Sequence, residues 1–228
     1  MIFQYSDKGS FYQFDKKLPP VFLYGQSTRC TEIQSPGAFK SIGVYFEPHV
    51  LKSVFGFHAN ELTDTCIDIG EMATRQGFAL TDQLTEAVTG SEQARILSEY
   101  LTLQLRRNED KKHDAMAHVV AQINQSKGLI PIKELYRQSG MSERNFERKF
   151  QQSVGLSPKL YTRICRFQAS LHQLRNNDFQ KLSDIAFEQE YADQSHFIRA
   201  FKEFAGFSPN QFQKRSNELV ENFPELVS

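Results

Sequence analysis

The C-terminal half of this chain carries one pattern twice, and this duplication constrains the fold more than any other feature. The segments MSERNFERKFQQSVGLSPKLY (141–161) and YADQSHFIRAFKEFAGFSPNQF (191–212) align at an offset of 51 residues. The aligned identical residues are Phe146 with Phe197, Arg148 with Arg199, Phe150 with Phe201, Gly155 with Gly206, Ser157 with Ser208 and Pro158 with Pro209. Average residue usage would give about one identity by chance. The repeat therefore predicts a duplicated supersecondary unit.

Each copy has the pattern of a short helix, a turn, a longer helix that stops at glycine, and a new helix that begins at Ser-Pro. Asp193 is predicted to cap the longer helix of the second copy, because Asp accepts hydrogen bonds from free N–H groups at a helix start. Ser157 is predicted to cap a long helix, since Pro158 suits the first helical position. That long helix joins the two copies.

The longer helix of each copy is predicted to be amphipathic. With 3.6 residues per turn, two Phe residues of each copy share one side and anchor the helix. These pairs are Phe146 with Phe150, and Phe197 with Phe201. The first helix carries Arg144, Glu147, Arg148 and Gln151 on the side opposite its Phe pair or next to that side. The second helix carries Ser195, Arg199 and Lys202, with Gln194 near its start.

Two helices at a sharp turn, with Arg, Gln and Ser exposed on the second, have the geometry that places a helix in the DNA major groove. Arg can form two hydrogen bonds with guanine, and Gln can do so with adenine. The predicted partner is double-stranded DNA. Phosphate contacts are predicted from helix N-termini and from the nearby Lys133 and Lys181.

The distribution of charge suits such a partner. The whole chain has 27 Lys and Arg and 27 Asp and Glu, and so no formal net charge. Between Lys133 and Arg215, however, fourteen Lys and Arg outnumber nine Asp and Glu. The positive charge coincides with the repeat, and a phosphate backbone favours a basic surface.

The first eighty or so residues are predicted to form a mainly β module. Short β-prone runs alternate with Gly and Pro breakers, and these runs are VFLYG, CTEIQ, SIGVYFEP and TCIDIGE. The stretch PHVLKSVFG predicts one short helix. Ser91 is then predicted to cap a helix that ends near Arg107, and the charged run RRNEDKKHD is the linker candidate.

The predicted fold class is α+β: a small mainly β N-terminal module, then an all-α C-terminal domain with two helix-turn-helix units joined by a long helix. Changes in the residue pattern give the predicted boundaries. The predicted domains are a β-rich regulatory module (1–82), a connecting helix and linker (83–112), a double helix-turn-helix DNA-binding domain (113–216) and an acidic tail (217–228).

Two features of the N-terminal region leave alternatives open. Its aromatic side chains can line a cavity for a small-molecule effector or belong to an ordinary core. These side chains are Phe22, Tyr24, Phe39, Tyr45 and Phe46. The face formed by Leu97, Leu101 and Leu105 can pair two chains as a homodimer or pack on its own domain.

The repeat also resembles the AraC/XylS transcription regulators. DIAFEQEYADQSHFIRAFKEFAGFSPNQF is similar to that family's signature, and MSERNFERKFQQSVGLSPKLYTRICRFQASLHQL to its first unit and connecting helix. The resemblance covers about residues 113–216 and implies recognition helices in successive major grooves about one DNA turn apart. The base-facing positions that it implies are Arg144, Glu147, Arg148, Gln194, Ser195, His196 and Arg199.

Two positions depart from the family pattern. Glu190 stands where the family usually has Gly. If the turn there needs a positive φ, Glu costs about 1 kcal/mol relative to Gly, so the turn is predicted to be adjusted. Tyr136 stands where a small residue is usual, so it is predicted to loosen the packing of the first unit or to swing outward. The N-terminal stretch GVYFEPHVLKSVFGFHANELTDTCIDIGE resembles, more weakly, family regions that bind effectors or dimerise.

Catalysis, a cofactor and a metal site are not predicted. The sequence has no Gly-rich phosphate loop, nucleophile elbow or H-E-x-x-H motif. The cysteines are Cys30, Cys66 and Cys165, which are too widely spaced for a C-x-x-C pair and are predicted to be free and mostly buried. No apolar run is long enough for a membrane span, and no signal peptide is recognised.

The sequence therefore predicts a sequence-specific, DNA-binding transcriptional regulator, not an enzyme. It is expected in the bacterial cytoplasm and on the nucleoid when it is bound to DNA. An alternative is a regulatory scaffold that binds a protein or metabolite and contacts DNA only weakly. Glu143 and Glu147 give this alternative some support, because carboxylates repel phosphates unless they accept a hydrogen bond from cytosine N4.

Overall fold

The computed structural model describes residues 1–35, 37–109 and 116–219, with side chains up to Lys214. Contacts divide them into two compact units. The first contains Met1–Ser27, the described residues from Thr31 to Met116, and Lys149–Leu156; the second contains Thr28–Cys30, Ala117–Arg148 and the described residues from Ser157 onward. The end of the predicted linker (110–112), the start of the predicted DNA-binding domain (113–115) and most of the predicted acidic tail (220–228) lie outside the described residues.

Two antiparallel sheets form the β part of the first unit. The strands are β1 (Ile2–Tyr5), β2 (Tyr12–Gln13), β3 (Lys16–Lys17), β4 (Val21–Tyr24), β5 (Ile33–Gln34), β6 (Lys40–Gly43) and β7 (Cys66–Asp68). One sheet has the order β6-β1-β4-β7, with Ile2 opposite both Phe22 and Gly43. The other has the order β3-β2-β5.

Side chains alternate between the two faces of the four-stranded sheet, as the period of two requires. Phe3, Val21 and Leu23 belong to the main core of the unit, which includes residues from all four helices that follow. Ile2, Phe22 and Tyr24 belong to a smaller cluster on the other face, with Phe11, Leu18 and Cys66. The sheet is therefore covered on both sides.

Among the described residues, four α-helices lie wholly within the first unit: α1 (Leu51–Phe55), α2 (Ile69–Arg75), α3 (Leu80–Glu86) and α4 (Gly90–Arg107). The predicted short helix in PHVLKSVFG is confirmed as α1, preceded by one 3₁₀ turn. The predicted Ser91 cap is wrong. The Thr89 hydroxyl accepts from the Glu92 N–H instead, at 3.2 Å, because α4 begins at Gly90 and Ser91 is already inside it.

Tyr100 on α4 lies wholly within the main core, and its hydroxyl has no hydrogen-bond partner among the described residues. An unsatisfied buried donor destabilises the folded state. Tyr100→Phe removes only this hydroxyl, so we expect it to raise the free energy of unfolding of the first unit by about 1 kcal/mol. Hydrogen exchange of the α4 amides measures this gain. Tyr45→Phe, whose ring is 74% exposed, is the matched control, and an equal effect in both variants would contradict the explanation.

The same variant has a pH signature. Burial raises the pKa of Tyr100 to about 12, against the weaker opposing effect of Arg107, whereas an unfolded Tyr titrates near pH 10. The folded state therefore holds this proton more tightly, so the contribution to stability is complete below pH 10 and is lost as the pH rises towards 12. Tyr100→Phe is expected to lose less stability over this range than the unaltered chain.

The second unit is helical: α5 (Ala117–Gln125), α6 (Ile132–Ser139), α8 (Pro158–Arg175), α9 (Leu182–Glu188), α10 (Gln194–Ala205) and α11 (Pro209–Leu219). A further helix, α7 (Glu143–Val154), contributes its residues up to Arg148 to this unit and the rest to the first. The predicted caps of α8 and α10 are confirmed. The Ser157 hydroxyl accepts from the Leu160 N–H at 3.2 Å, and Asp193 Oδ1 from the His196 N–H at 2.7 Å. The α+β fold class is confirmed.

Aromatic side chains form the core of the second helix-turn-helix unit. Phe197, Phe201 and Phe212 are fully buried, and Phe167 of α8 packs against them. Phe146 and Phe150 of α7 are likewise 0% exposed. The prediction that each Phe pair shares one side of its helix is therefore confirmed, and that side is buried.

The three cysteines are free; Cys66 and Cys165 are buried, and Cys30 is exposed. Burial raises the pKa of both buried thiols, that of Cys165 to about 12, so both stay protonated and unreactive near neutral pH. No helix in the described part of the chain is both long and apolar enough to cross a membrane.

The turn after α9 is not adjusted to accommodate Glu190, and the predicted adjustment is wrong. Glu190 has a φ of 52°. Its N–H donates to the Phe187 carbonyl at 3.1 Å, and the Tyr191 N–H donates to the Ala186 carbonyl at 2.8 Å. These two bonds are the helix-ending pattern in which Gly usually occupies the left-handed position. At the end of α6, Gly140 occupies this left-handed position, with a φ of 64°.

Glu190→Gly is expected to raise the free energy of unfolding of the second unit by about 1 kcal/mol, because Gly adopts positive φ without steric cost. Calorimetry of the full chain measures the gain as a higher melting temperature. Glu190→Ala removes the same charge but keeps a Cβ, and it is expected to change stability by less than about 0.5 kcal/mol. A gain in the Ala variant equal to that in the Gly variant would exclude backbone strain as the cause.

Candidate nucleic-acid interface

The two copies of the sequence repeat fold alike. Both α7 and α10 have 12 residues, and Gln194 and Ala205 stand 51 residues after Glu143 and Val154. Each helix is followed by a glycine with positive φ, 93° for Gly155 and 81° for Gly206. The next helices, α8 and α11, both begin at a proline. The duplication is therefore structural as well as sequential.

All the side chains predicted for DNA contact on α7 are exposed. They are Arg144, Glu147, Arg148 and Gln151. The Arg148 guanidinium donates to Asn145 Oδ1 at 2.9 Å, which directs it along the helix. The burial of Phe146 and Phe150 fixes the opposite side, so the exposed set faces away from the core.

Tyr136 of α6 is half-buried and packs on α7 instead of swinging outward. Its ring lies edge-on to that of Phe146, with 4.9 Å between the ring centroids and 70° between the planes. Burial raises the pKa of Tyr136, and the negative charges of Glu147 and Glu143 raise it further. Tyr136 thus fills the space between α6 and α7 as an aromatic pair, an arrangement in which ring edges meet ring faces. The prediction that Tyr136 swings outward is therefore wrong, and the predicted loosening of the packing stays a prediction.

On α10, the predicted contact residues are also exposed: Gln194, Ser195, His196, Arg199 and Lys202. Arg199 and Lys202, like Arg144 on α7, form no side-chain hydrogen bond or ion pair with the described residues. Their charges are therefore available to an external anion.

His196 differs from the other predicted contact residues. Its ring lies edge-on to Tyr191 at 5.6 Å, and its Nδ1 accepts a long hydrogen bond of 3.4 Å from the Ala192 N–H. His196 also precedes Ala200 by four residues and so shares its side of α10. The ring therefore lies beside the turn, on the flank of the exposed face.

The two lysines predicted to contact phosphates lie at the starts of the first helices of the two units. Lys133 is exposed in the first turn of α6. Lys181 is exposed immediately before α9, where its N–H donates to Asp184 Oδ2 at 2.7 Å. Both lysine side chains are exposed, so a phosphate can reach them. The roles of all the predicted site residues stay predictions.

The N-terminal aromatic residues do not form one cavity. Phe22 is fully buried, Tyr24 and Phe46 are half-buried, and Phe39 and Tyr45 are exposed. A cavity of about 470 Å³ is present elsewhere in the first unit, and Phe3, Gln4, Phe11, Lys17 and Asp68 are among its lining residues. None of the five predicted aromatic residues lines it.

The leucine face of α4 packs mainly on its own unit. Leu97 is buried, Leu101 packs against the main core, and Leu105 is 42% exposed. This favours packing within the unit over pairing of two chains, and a homodimer stays a prediction.

Within the described ranges, no group of three or more His, Cys, Asp or Glu side chains is placed to hold a metal ion.

The geometry agrees with comparisons to known proteins. Residues 135–215 match the model of a family described as a helix-turn-helix domain. The chain is 28% identical over 89 residues to the transcriptional activator RhaS of Klebsiella pneumoniae, covering 39% of this chain and 32% of RhaS. This region is an AraC-type helix-turn-helix domain.

Two further relatives of this chain are also named as transcriptional regulators. RhaS of Escherichia fergusonii is 28% identical over 125 residues, 52% of this chain and 45% of RhaS. A helix-turn-helix-type transcriptional regulator of Haemophilus influenzae is 32% identical over 96 residues, 42% of this chain and 32% of its own length. This chain thus spans a third to a half of the length of these relatives.

Residues 1–68 match the model of a domain of unknown function, DUF6597. No solved structure matches the chain.

Proposed function

We propose that this protein is a sequence-specific DNA-binding transcriptional regulator, that it is not an enzyme, and that it acts in the cytoplasm. In this proposal α7 and α10 enter successive major grooves, and each reads bases with its exposed side. The relatives named as transcriptional regulators support the assignment.

One observation carries the proposal: two helices of equal length repeat at an offset of 51 residues, and each exposes the basic and amide side chains that read bases. Burial of a Phe pair turns that exposed side away from the core in both helices. A single exposed basic helix would be ordinary protein surface. Two equivalent ones, each following a short helix and a turn, fit tandem readers of DNA.

We also propose that the N-terminal unit is regulatory and binds a small-molecule effector. Its cavity of about 470 Å³ lies within the size range of ligand pockets. Gln4, Lys17 and Asp68 supply polar groups among its apolar walls. A ligand whose binding is unchanged by both Gln4→Leu and Lys17→Ala would contradict this location.

The steepness of DNA binding with salt tests the proposed function. A protein that neutralises about six to ten phosphates loses about 10³- to 10⁵-fold in affinity between 50 and 200 mM salt. We expect the full chain to show a fall of this order with mixed-sequence duplex DNA, measured by fluorescence anisotropy. A nearly salt-independent affinity would instead favour a scaffold with weak DNA contact.

Charge-matched variants sharpen this test. Lys133→Gln combined with Lys181→Gln is expected to lower the salt slope by about two, because each lysine is assigned one phosphate contact. Lys127→Gln combined with Lys214→Gln removes the same charge from exposed positions outside the predicted interface. Equal losses of slope in the two double variants would contradict the assigned phosphate contacts.

A further inference from the structure

A cavity of about 220 Å³ lies between α8 and α10 in the second unit. Lys159, Arg163 and Arg166 line it from α8. His196, Ala200 and Phe204 line it from α10, and Tyr191 closes it from the turn. Among these described lining residues, three are basic and none is acidic. Cavities with this charge balance attract anions.

The basic side chains form a stripe along α8. Lys159, Arg163 and Arg166 stand at spacings of four and three residues, so they share one side of the helix. Glu203 of α10 accepts from the Arg163 guanidinium at 2.5 Å and balances one of the three charges. The other two charges form no ion pair with the described residues. The stripe therefore retains an excess of positive charge.

Aromatic rings hold the two guanidinium groups in place. The Arg163 Cζ lies 5.2 Å from the centroid of the Phe204 ring, and the Arg166 Cζ lies 5.8 Å from that of Tyr191. Stacking on a ring orients the planar guanidinium and leaves its edge donors available. Arg166 Nε is buried and has no hydrogen-bond partner within the described residues. Such an unpaired donor is unfavourable unless an acceptor fills the space beside it.

We propose that this cavity binds an oxyanion, a phosphate group carried either by a small molecule or by the DNA backbone. Guanidinium forks bind phosphate oxygens through paired hydrogen bonds, and an ammonium group adds a point charge. The apolar walls formed by Ala200 and Phe204 leave room for a small organic group beside the phosphate. The DNA source rests on the proposed function, and the small-molecule source does not.

Calorimetric titration of the full chain with inorganic phosphate, at constant ionic strength against chloride, tests the site. We expect saturable binding that weakens at least tenfold in the Lys159→Gln/Arg166→Gln variant. The control is Lys127→Gln/Lys214→Gln, which removes two charges from exposed residues that do not line the cavity and is expected to bind phosphate as the unaltered chain does. Lys159 is exposed, so Lys159→Gln alone keeps the test readable if the Arg166 change unfolds the unit.

Salt titrations of duplex DNA binding separate the two sources. If the phosphate belongs to DNA, the cavity variant lowers the salt slope by more than the control does, and inorganic phosphate competes with the duplex. If the phosphate belongs to a small molecule, inorganic phosphate binds in the cavity, and the salt slope of DNA binding is the same for the cavity variant as for the control. The proposal is overturned if inorganic phosphate binds no better than chloride and the DNA slopes are equal, or if the control loses as much phosphate affinity as the cavity variant. A chain that fails to bind DNA would refute the proposed function, and the phosphate titration alone would then decide on the cavity.

Discussion

Phe201→Ala is expected to lower the free energy of unfolding of the AraC-type domain by about 3–5 kcal/mol, the range for removing a buried Phe. The Phe201 ring is fully buried at the centre of the aromatic core. Its centroid lies 5.2 Å from that of Phe167 and 5.9 Å from those of Phe197 and Phe212. The variant therefore loses apolar burial and leaves a cavity that three fixed rings cannot fill.

Urea unfolding of the full chain, followed by far-ultraviolet circular dichroism, measures this loss as an earlier transition of the helical unit. Phe187→Ala is the matched control, because Phe187 lies on α9 with 84% of its surface exposed. Its stability is expected to change by less than about 0.5 kcal/mol. A loss below about 1 kcal/mol for Phe201→Ala would show that α10 is not anchored through this ring.

Arg148→Ala and Arg199→Ala are each expected to weaken binding to the preferred DNA sequence by about 1–3 kcal/mol, or about 5- to 150-fold. The two arginines occupy equivalent positions on α7 and α10, and both are exposed. Bidentate bonds from Arg to guanine discriminate strongly between bases, so each variant should also lose preference at its own part of the site.

Competition between the preferred duplex and single-base variants of it measures both effects in the full chain. Arg75→Ala is the matched control, since Arg75 is exposed on α2 in the first unit and pairs with Glu71 at 2.5 Å. Its affinity for DNA is expected to stay within about twofold of that of the unaltered chain, because Arg75 lies on neither of the two predicted base-reading helices and is already paired with Glu71. Unchanged affinity in both the Arg148 and the Arg199 variants would refute the placement of α7 and α10 in the grooves.

The helical repeat could be predicted from the sequence because its limits are set by local chemistry. Asp193 and Ser157 cap the helices that follow them, and Gly155 and Gly206 end α7 and α10. Caps and left-handed glycines act over three or four residues, so a single sequence shows them. The positive φ of Glu190 could not be predicted in this way, because Glu gives no local sign of it.

The N-terminal unit was predicted less completely. Strands β2, β3 and β5 have two residues each, too few for a period of two to appear in the sequence. The cluster around Phe22 and Cys66 joins segments far apart in the chain. Such contacts depend on tertiary structure, which sequence pattern does not show.

The exposed sides of α7 and α10 followed from helical periodicity, because the buried Phe residues fix the rotation of each helix. The position of the His196 ring could not be predicted from helical periodicity, because it depends on Tyr191 in the preceding turn. The basic stripe of α8 was not predicted, although Lys159, Arg163 and Arg166 stand at spacings of four and three residues in the sequence. Its cavity became apparent only when α10 was placed against α8, because a single helix does not show what faces it.

Selection of bound duplexes from a random DNA pool by the full chain, at fixed near-physiological salt, tests the central claim most directly. Two base-reading helices predict one enriched motif with two conserved blocks about 10–10.5 base pairs apart. The Arg148→Ala and Arg199→Ala variants should each blur one block. A pool without an enriched motif, or with a single block that neither variant changes, would contradict the claim that α7 and α10 read DNA sequence.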